Sequence, residues 1–214
     1  MSNQHVSVRD WILVPALITL LVSLLRLTGE LLDWGPLFSR DPGGGGSPFG
    51  ISWLIPIFGF YFGWALSKRG YRPHSSGRAW GAWAVCFLLL LASGAVTAWL
   101  GITYPAFAAV IIMMAIVAYL VVAHWGPLGK VLFAYAWAAR IPVIIIALFA
   151  IAGDWGTHYE KGPPDFVYPQ STFEHWLQLG LLPQASIWIT ITLTFGGLFA
   201  LIGTHIGARG QRRS

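Results

Sequence analysis

The chain has 214 residues, 56% of them hydrophobic and 10% charged, with a net charge of +5. A soluble domain carries roughly a quarter charged residues, so the composition points away from a soluble enzyme and toward a membrane protein. The basic residues fall mainly in short loops between apolar runs, a topology signal rather than a nucleic-acid footprint, and the single Cys86 excludes an intramolecular disulfide.

The first apolar run, 11–32, follows Arg9 and is too long for the core of a signal peptide. No Ala-x-Ala site comes after it, so it reads as a retained first helix. Near its far end Arg26 and Glu30 stand four residues apart, on one helical face, where they can pair or form the upper wall of a polar cavity. The following loop, "DWGPLFSRDPGGGGSPFG", contains a flexible glycine run. A shorter run, 51–67, holds Pro56 and the glycines of "GFYFG". Gly and Pro are common in membrane helices, which is the preferred reading, with a close helix approach through the small-xxx-small spacing as the alternative.

After the basic loop "SKRGYRPHSSGR" come two runs at 80–100 and 104–123, joined by a turn at "GITYP" into an antiparallel hairpin. The fifth run, 131–152, contains Arg140 and, two residues later, Pro142. By the helix rise Arg140 is about 14 Å from one end and about 21 Å from the other, near the bilayer middle. A charge there costs a few kcal/mol and faces the bundle interior. No acidic partner is expected at that depth. The candidates are Tyr61, Tyr119, Ser93, Thr97, Thr190, Thr192, backbone carbonyls, water or a bound anion. Pro142 has no N–H for the Ala138 carbonyl and should kink the helix, so a structural arginine stapling the kink competes with an arginine lining a ligand cavity.

The next stretch, "DWGTHYEKGPPDFVYPQSTFEHWLQLGLLPQ", carries a loose polar cluster of Asp154, His158, Glu160, Glu174 and His175. These residue types bind metals, but no HExxH or Cys/His spacing organises them, so no metal is predicted. Ser171 or Thr172 is expected to cap a short amphipathic helix, Glu174 following at capping-box spacing from Ser171, with Phe173, Trp176, Leu177 and Leu181 on one face. That helix should lie along the outer interface, ended by Pro183. The last run is 184–202, followed by the basic tail "GARGQRRS".

With the N-terminus in the cytoplasm, nine of the thirteen basic residues fall inside and seven of the eight acidic residues at or beyond the outer face. Six crossings return the C-terminus to the cytoplasm, and tryptophans gather at both interfaces. The expectation is therefore an all-α polytopic membrane protein: one integral domain, 1–214, with six transmembrane helices and both termini cytoplasmic, in a plasma membrane of the bacterial inner-membrane type. Walker, dinucleotide, c-type haem and G-x-S-x-G patterns are absent and no cofactor is implied. Beyond membrane lipids, the expected partner is an anionic solute or lipid head group, bound or transported in an outward-opening polar cavity formed by Arg140, Arg26, Glu30, Tyr61 and Tyr119. An outer-face enzyme on a lipid-linked substrate and an accessory subunit with protein partners or a second copy are the alternatives.

Overall fold

The computed structural model describes residues 7–42, 50–164 and 166–211. It is all-α: α1 (Val8–Leu31), α2 (Leu54–Lys68), α3 (Ser76–Leu100), α4 (Tyr104–His124), α5 (Gly126–Gly153), α6 (Thr172–His175), α7 (Leu182–Ala185) and α8 (Ile187–Gln211). Five helical stretches are long and apolar enough to cross a bilayer: α1, α3, α4, α5 and the run Thr172–Gly207. Their outward faces carry large exposed apolar side chains such as Leu17, Leu21, Leu88, Ile112 and Phe149, as lipid-facing helices do. This is a multi-span helical membrane protein.

At 15 residues α2 is the short one, and its packing shows why it carries glycines. A Cβ on Gly59 would lie 2.5 Å from the Gly196 carbonyl oxygen, and one on Gly63 2.0 Å from that of Ala200. From the other side a Cβ on Gly203 would lie 2.4 Å from the Phe60 carbonyl oxygen. Ascending residues meet ascending residues, so α2 and α8 run parallel with their backbones in contact. The close-packing role of "GFYFG" is thus real, and its partner is the glycine series of α8. α8 also packs against α3, α4 and α5, while α5 packs against α1 and α2. Ser75 and Thr103 cap α3 and α4, with Gly101 (φ +69°) closing the hairpin turn between them.

α1 and α5 end in the same way. Asp33 and Asp154 adopt the left-handed conformation (φ 53° and 48°), tolerable for Asp because its short polar side chain can bond locally. The next residue, Trp34 or Trp155, donates its N–H to a carbonyl five back, Gly29 or Ala150, at 2.9 and 3.2 Å. This is the Schellman closure that satisfies a helix's last carbonyls. Gly35 and Gly156 follow with φ of +93° and +71°, and each is followed by a 3₁₀ turn, Pro36–Phe38 or His158–Glu160. The repeated "DWG" therefore marks a duplicated helix end. The two repeats lead into α2 and α8, the glycine-locked parallel pair.

One sequence expectation is corrected. Residues 171–183 do not form a separate interfacial helix ended by Pro183. Ser171 does cap α6, accepting the Glu174 N–H at 3.5 Å, but the chain continues through a π-helical stretch, Trp176–Leu181, and α7 to α8. Pro183 lies in the first turn of α7, where a missing N–H costs nothing. The break comes at Ser186 (φ −125°, ψ −76°) instead.

Candidate functional site

A cavity of about 570 Å³ opens at the end of the bundle where α1 and α5 terminate. It exists because α2 begins only at Leu54, leaving the irregular stretch Gly50, Ile51, Ser52 and Trp53 to form one wall. α1 contributes Ser23 and Arg26, and α5 contributes Arg140, Val143 and Ala147. His158, Tyr159, Lys161 and Pro163 come from the loop after α5, and Leu179, Gly180, Pro183, Gln184 and Trp188 from the bent approach to α8. That approach is fixed to α5 by the Trp176 indole N–H, which donates to the Ile144 carbonyl at 3.0 Å.

Arg140 is 3% exposed. Its Nη1 donates to Gln184 Oε1 at 3.3 Å, and its guanidinium carbon sits 4.5 Å from the centre of the Trp188 ring, a cation–π contact of the kind that strengthens when desolvated. Its Nε is buried with no partner among the described residues. No carboxylate among the described residues pairs with it. A buried guanidinium with an open donor is costly unless something fills it, and the cavity is where a filler can enter. One turn and a half earlier on α5, the Tyr135 hydroxyl bonds Thr19 Oγ1 at 3.0 Å and ties α5 to α1.

Arg26 and Glu30 do pair, Nε to Oε1 at 2.8 Å. Glu30, fully buried, also accepts the His158 backbone N–H on Oε2 at 2.9 Å and faces His158 Nδ1 with Oε1 at 2.5 Å. Its own carbonyl accepts both Arg40 Nε, at 2.8 Å, and Arg40 Nη2. The carboxylate therefore balances Arg26 from behind the cavity wall. Lys161 makes no ion pair among the described residues, so the described side chains that line the cavity carry a net positive charge.

The loop groups are shifted by the same enclosure. Burial holds the His158 imidazole below its ordinary value against the opposing pull of Glu30. Burial likewise pushes the Tyr159 phenol and the Glu160 carboxyl up, although Glu160 Oε2 accepts the Trp155 N–H at 3.1 Å.

The residues singled out from sequence separate into groups. Arg140 and Arg26 line the cavity, Glu30 backs it, and Pro142 stands in α5 two residues beyond Arg140. Tyr61 and Tyr119 are exposed, outside the cavity lining. Thr192, Ser93 and Thr97 bond carbonyls of their own helices, and Thr190 bonds that of Ser186 just before α8. Asp154 is the exposed end of α5 and Glu174 is exposed on α6. His175 Nε2 lies 2.9 Å from the Glu160 carbonyl, so His158 and His175 serve different partners. No group of three His, Cys, Asp or Glu side chains suited to a metal comes together among the described residues. Sequence reasoning missed Gln184, Trp188, Lys161 and Trp53. Gln184 and Trp188 are four apart at the entry of the last span, a spacing that offered one available signal.

No family model matches the chain, and no curated protein and no solved structure matches it.

Proposed function

We propose that this protein binds an anionic solute or lipid head group in the cavity at Arg140, as a binding or transport protein of a bacterial-type inner membrane. One observation carries the reading: a nearly fully buried arginine whose Nε has no partner among the described residues, placed in the wall of an open cavity. Lys161 in the same lining adds to the attraction for an anion, while Arg26 is balanced by Glu30. A purely structural arginine would direct its donors at carbonyls near Pro142. Its hydrogen bond among the described residues instead goes to Gln184, on another helix.

The accompanying topology has six crossings with both termini in the cytoplasm. The parallel α2–α8 pair supports counting α2 as a crossing, since it travels beside a full-length span in the same direction. Lys68 over the Trp64 ring at 4.4 Å and Arg69 over Trp11 at 4.5 Å put basic and aromatic residues together at the opposite end from the cavity, as a cytoplasmic interface would. The cavity then faces outward.

The test is purification of wild type and Arg140→Met from membranes, with mass spectrometry of copurified small molecules and lipids. The expected outcome is folded variant protein that has lost an anionic ligand present in the wild type. A variant that folds and retains the same ligand would sink the reading. Fusion reporters on both termini test the orientation, which predicts cytoplasmic signals from each.

A further inference from the structure

Resting on that reading, we infer that the anion is the phosphate of an amphiphile: the cavity takes a phospholipid head group bearing a phosphate monoester. Charge is the first ground. Glu30 balances Arg26, which leaves Arg140 and Lys161 as two cations facing the cavity with no carboxylate paired to either among the described residues. A single carboxylate would match one of them. A phosphate monoester, with a charge of about −1.5 to −2 at neutral pH, matches both and offers oxygens in the geometry that a guanidinium fork prefers.

Size and lining are the second ground. The volume of about 570 Å³ lies in the range of roughly 300–1,000 Å³ typical of sites for sizeable organic ligands, far more than a bare phosphate ion fills. Much of the remaining wall is apolar, from Ile51, Val143, Ala147 and Leu179, with Trp53 half-exposed at the start of α2. Depth is the third. Arg26 lies five residues before the last residue of α1, about 8 Å along the helix axis, and Arg140 lies about 20 Å before the end of α5, so the cationic lining reaches from the level of lipid head groups down into the bilayer rather than lying in open water.

The full-length protein in a non-ionic detergent is titrated with short-chain phosphatidic acid, phosphatidylglycerol, a fatty acid of matching chain length, and inorganic phosphate, read by thermal shift and native mass spectrometry. Phosphatidic acid should bind most tightly, with phosphatidylglycerol, a monoanionic diester, second. Arg140→Met should weaken both by about tenfold or more, the loss expected for a buried charge-assisted hydrogen bond. Lys161→Gln, a loop substitution that leaves the bundle intact, should weaken phosphatidic acid several-fold more than phosphatidylglycerol, and it carries the test if Arg140→Met does not fold. Inorganic phosphate binding as tightly as phosphatidic acid would overturn the amphiphile. A fatty acid bound in preference to either phospholipid, and lost in Arg140→Met, would overturn the phosphate while leaving the anion site standing. Binding of every anion untouched by both substitutions, or absent from the wild type, would overturn both.

Discussion

Glu30 Oε1 lies 2.5 Å from His158 Nδ1 while Oε2 accepts the His158 backbone N–H at 2.9 Å, so one buried carboxylate joins the end of α1 to the loop that follows α5. The loop also carries Tyr159 and Lys161 into the cavity wall. The position of that wall therefore depends on a contact with a titratable partner.

The first prediction concerns pH. His158 is held down chiefly by burial, with Arg26 and Lys161 acting in the same direction and Glu30 against it. The unfolded chain takes up a proton at this residue near pH ~6.5, while the folded state resists it. The stability in question is therefore present above that value and is lost as pH falls toward the lower folded value. Acidification from about pH 7.5 to about pH 5 should lower the melting temperature of the wild type. Glu160, shifted up by burial, contributes with the opposite sign, so the diagnostic comparison is with His158→Gln, which keeps the backbone N–H bond. The variant should show a shallower dependence; an identical slope would assign the effect to another group.

A second prediction follows from the α2–α8 contact. Gly63→Leu should abolish folded protein in fluorescence-detected size-exclusion chromatography, because its Cβ would need space occupied by the Ala200 carbonyl and overpacking costs about 1–3 kcal/mol even where side chains can yield. Gly94→Ala in α3, with open space around its Cβ, should be neutral or stabilising by about 0.5–1 kcal/mol.

Removing the Arg140 partner gives a third. Gln184→Leu deletes the protein acceptor of Nη1 and should destabilise the ligand-free protein by about 1.5–3 kcal/mol, the cost of a hydrogen bond to a charged group. Saturating anionic ligand should restore part of that loss, since it supplies oxygens to the same guanidinium. Thermal unfolding with and without ligand reads both effects; a deficit that ligand leaves unchanged would separate Gln184 from the site.

Tyr135→Phe tests the tie between α5 and α1. Thr19 Oγ1 keeps its bond to the Pro15 carbonyl at 2.8 Å, so only the interhelical bond to Tyr135 is lost. The expected cost is small, about 0.6 kcal/mol, the average for such bonds in a membrane protein, and unfolding in mixed micelles would resolve it from a loss of several kcal/mol.

The membrane class, the α3–α4 hairpin and the unusual status of Arg140 were legible because each rests on a local signal: run length, a turn, a charge within an apolar run. The α2–α8 contact was half legible. "GFYFG" offered a close approach only as an alternative to the ordinary glycine content of membrane helices, and nothing in that stretch named Gly196, Ala200 and Gly203 as the surface approached. Arg140's partners were less accessible still. The rise along α5 put Arg140 near the bilayer middle, and partners were sought there. Its side chain instead meets Gln184 and Trp188 at the entry of the last helix, brought within reach by the π-helical bend and the break at Ser186. Pro183 misled for a related reason, since a proline that stops one helix also suits the first turn of the next.

Because the glycine faces of α2 and α8 leave no layer of side chains between them, neither helix can slide along the other without carbonyls colliding. The height at which α2 stops is thereby a fixed dimension of the molecule. On the proposed reading, a different ligand would not be accommodated by raising or lowering that helix. Its selectivity would be set on the opposite shore, where the loop held by Glu30 and the bent entry to α8 bring Lys161, Gln184 and Trp188 to the same opening.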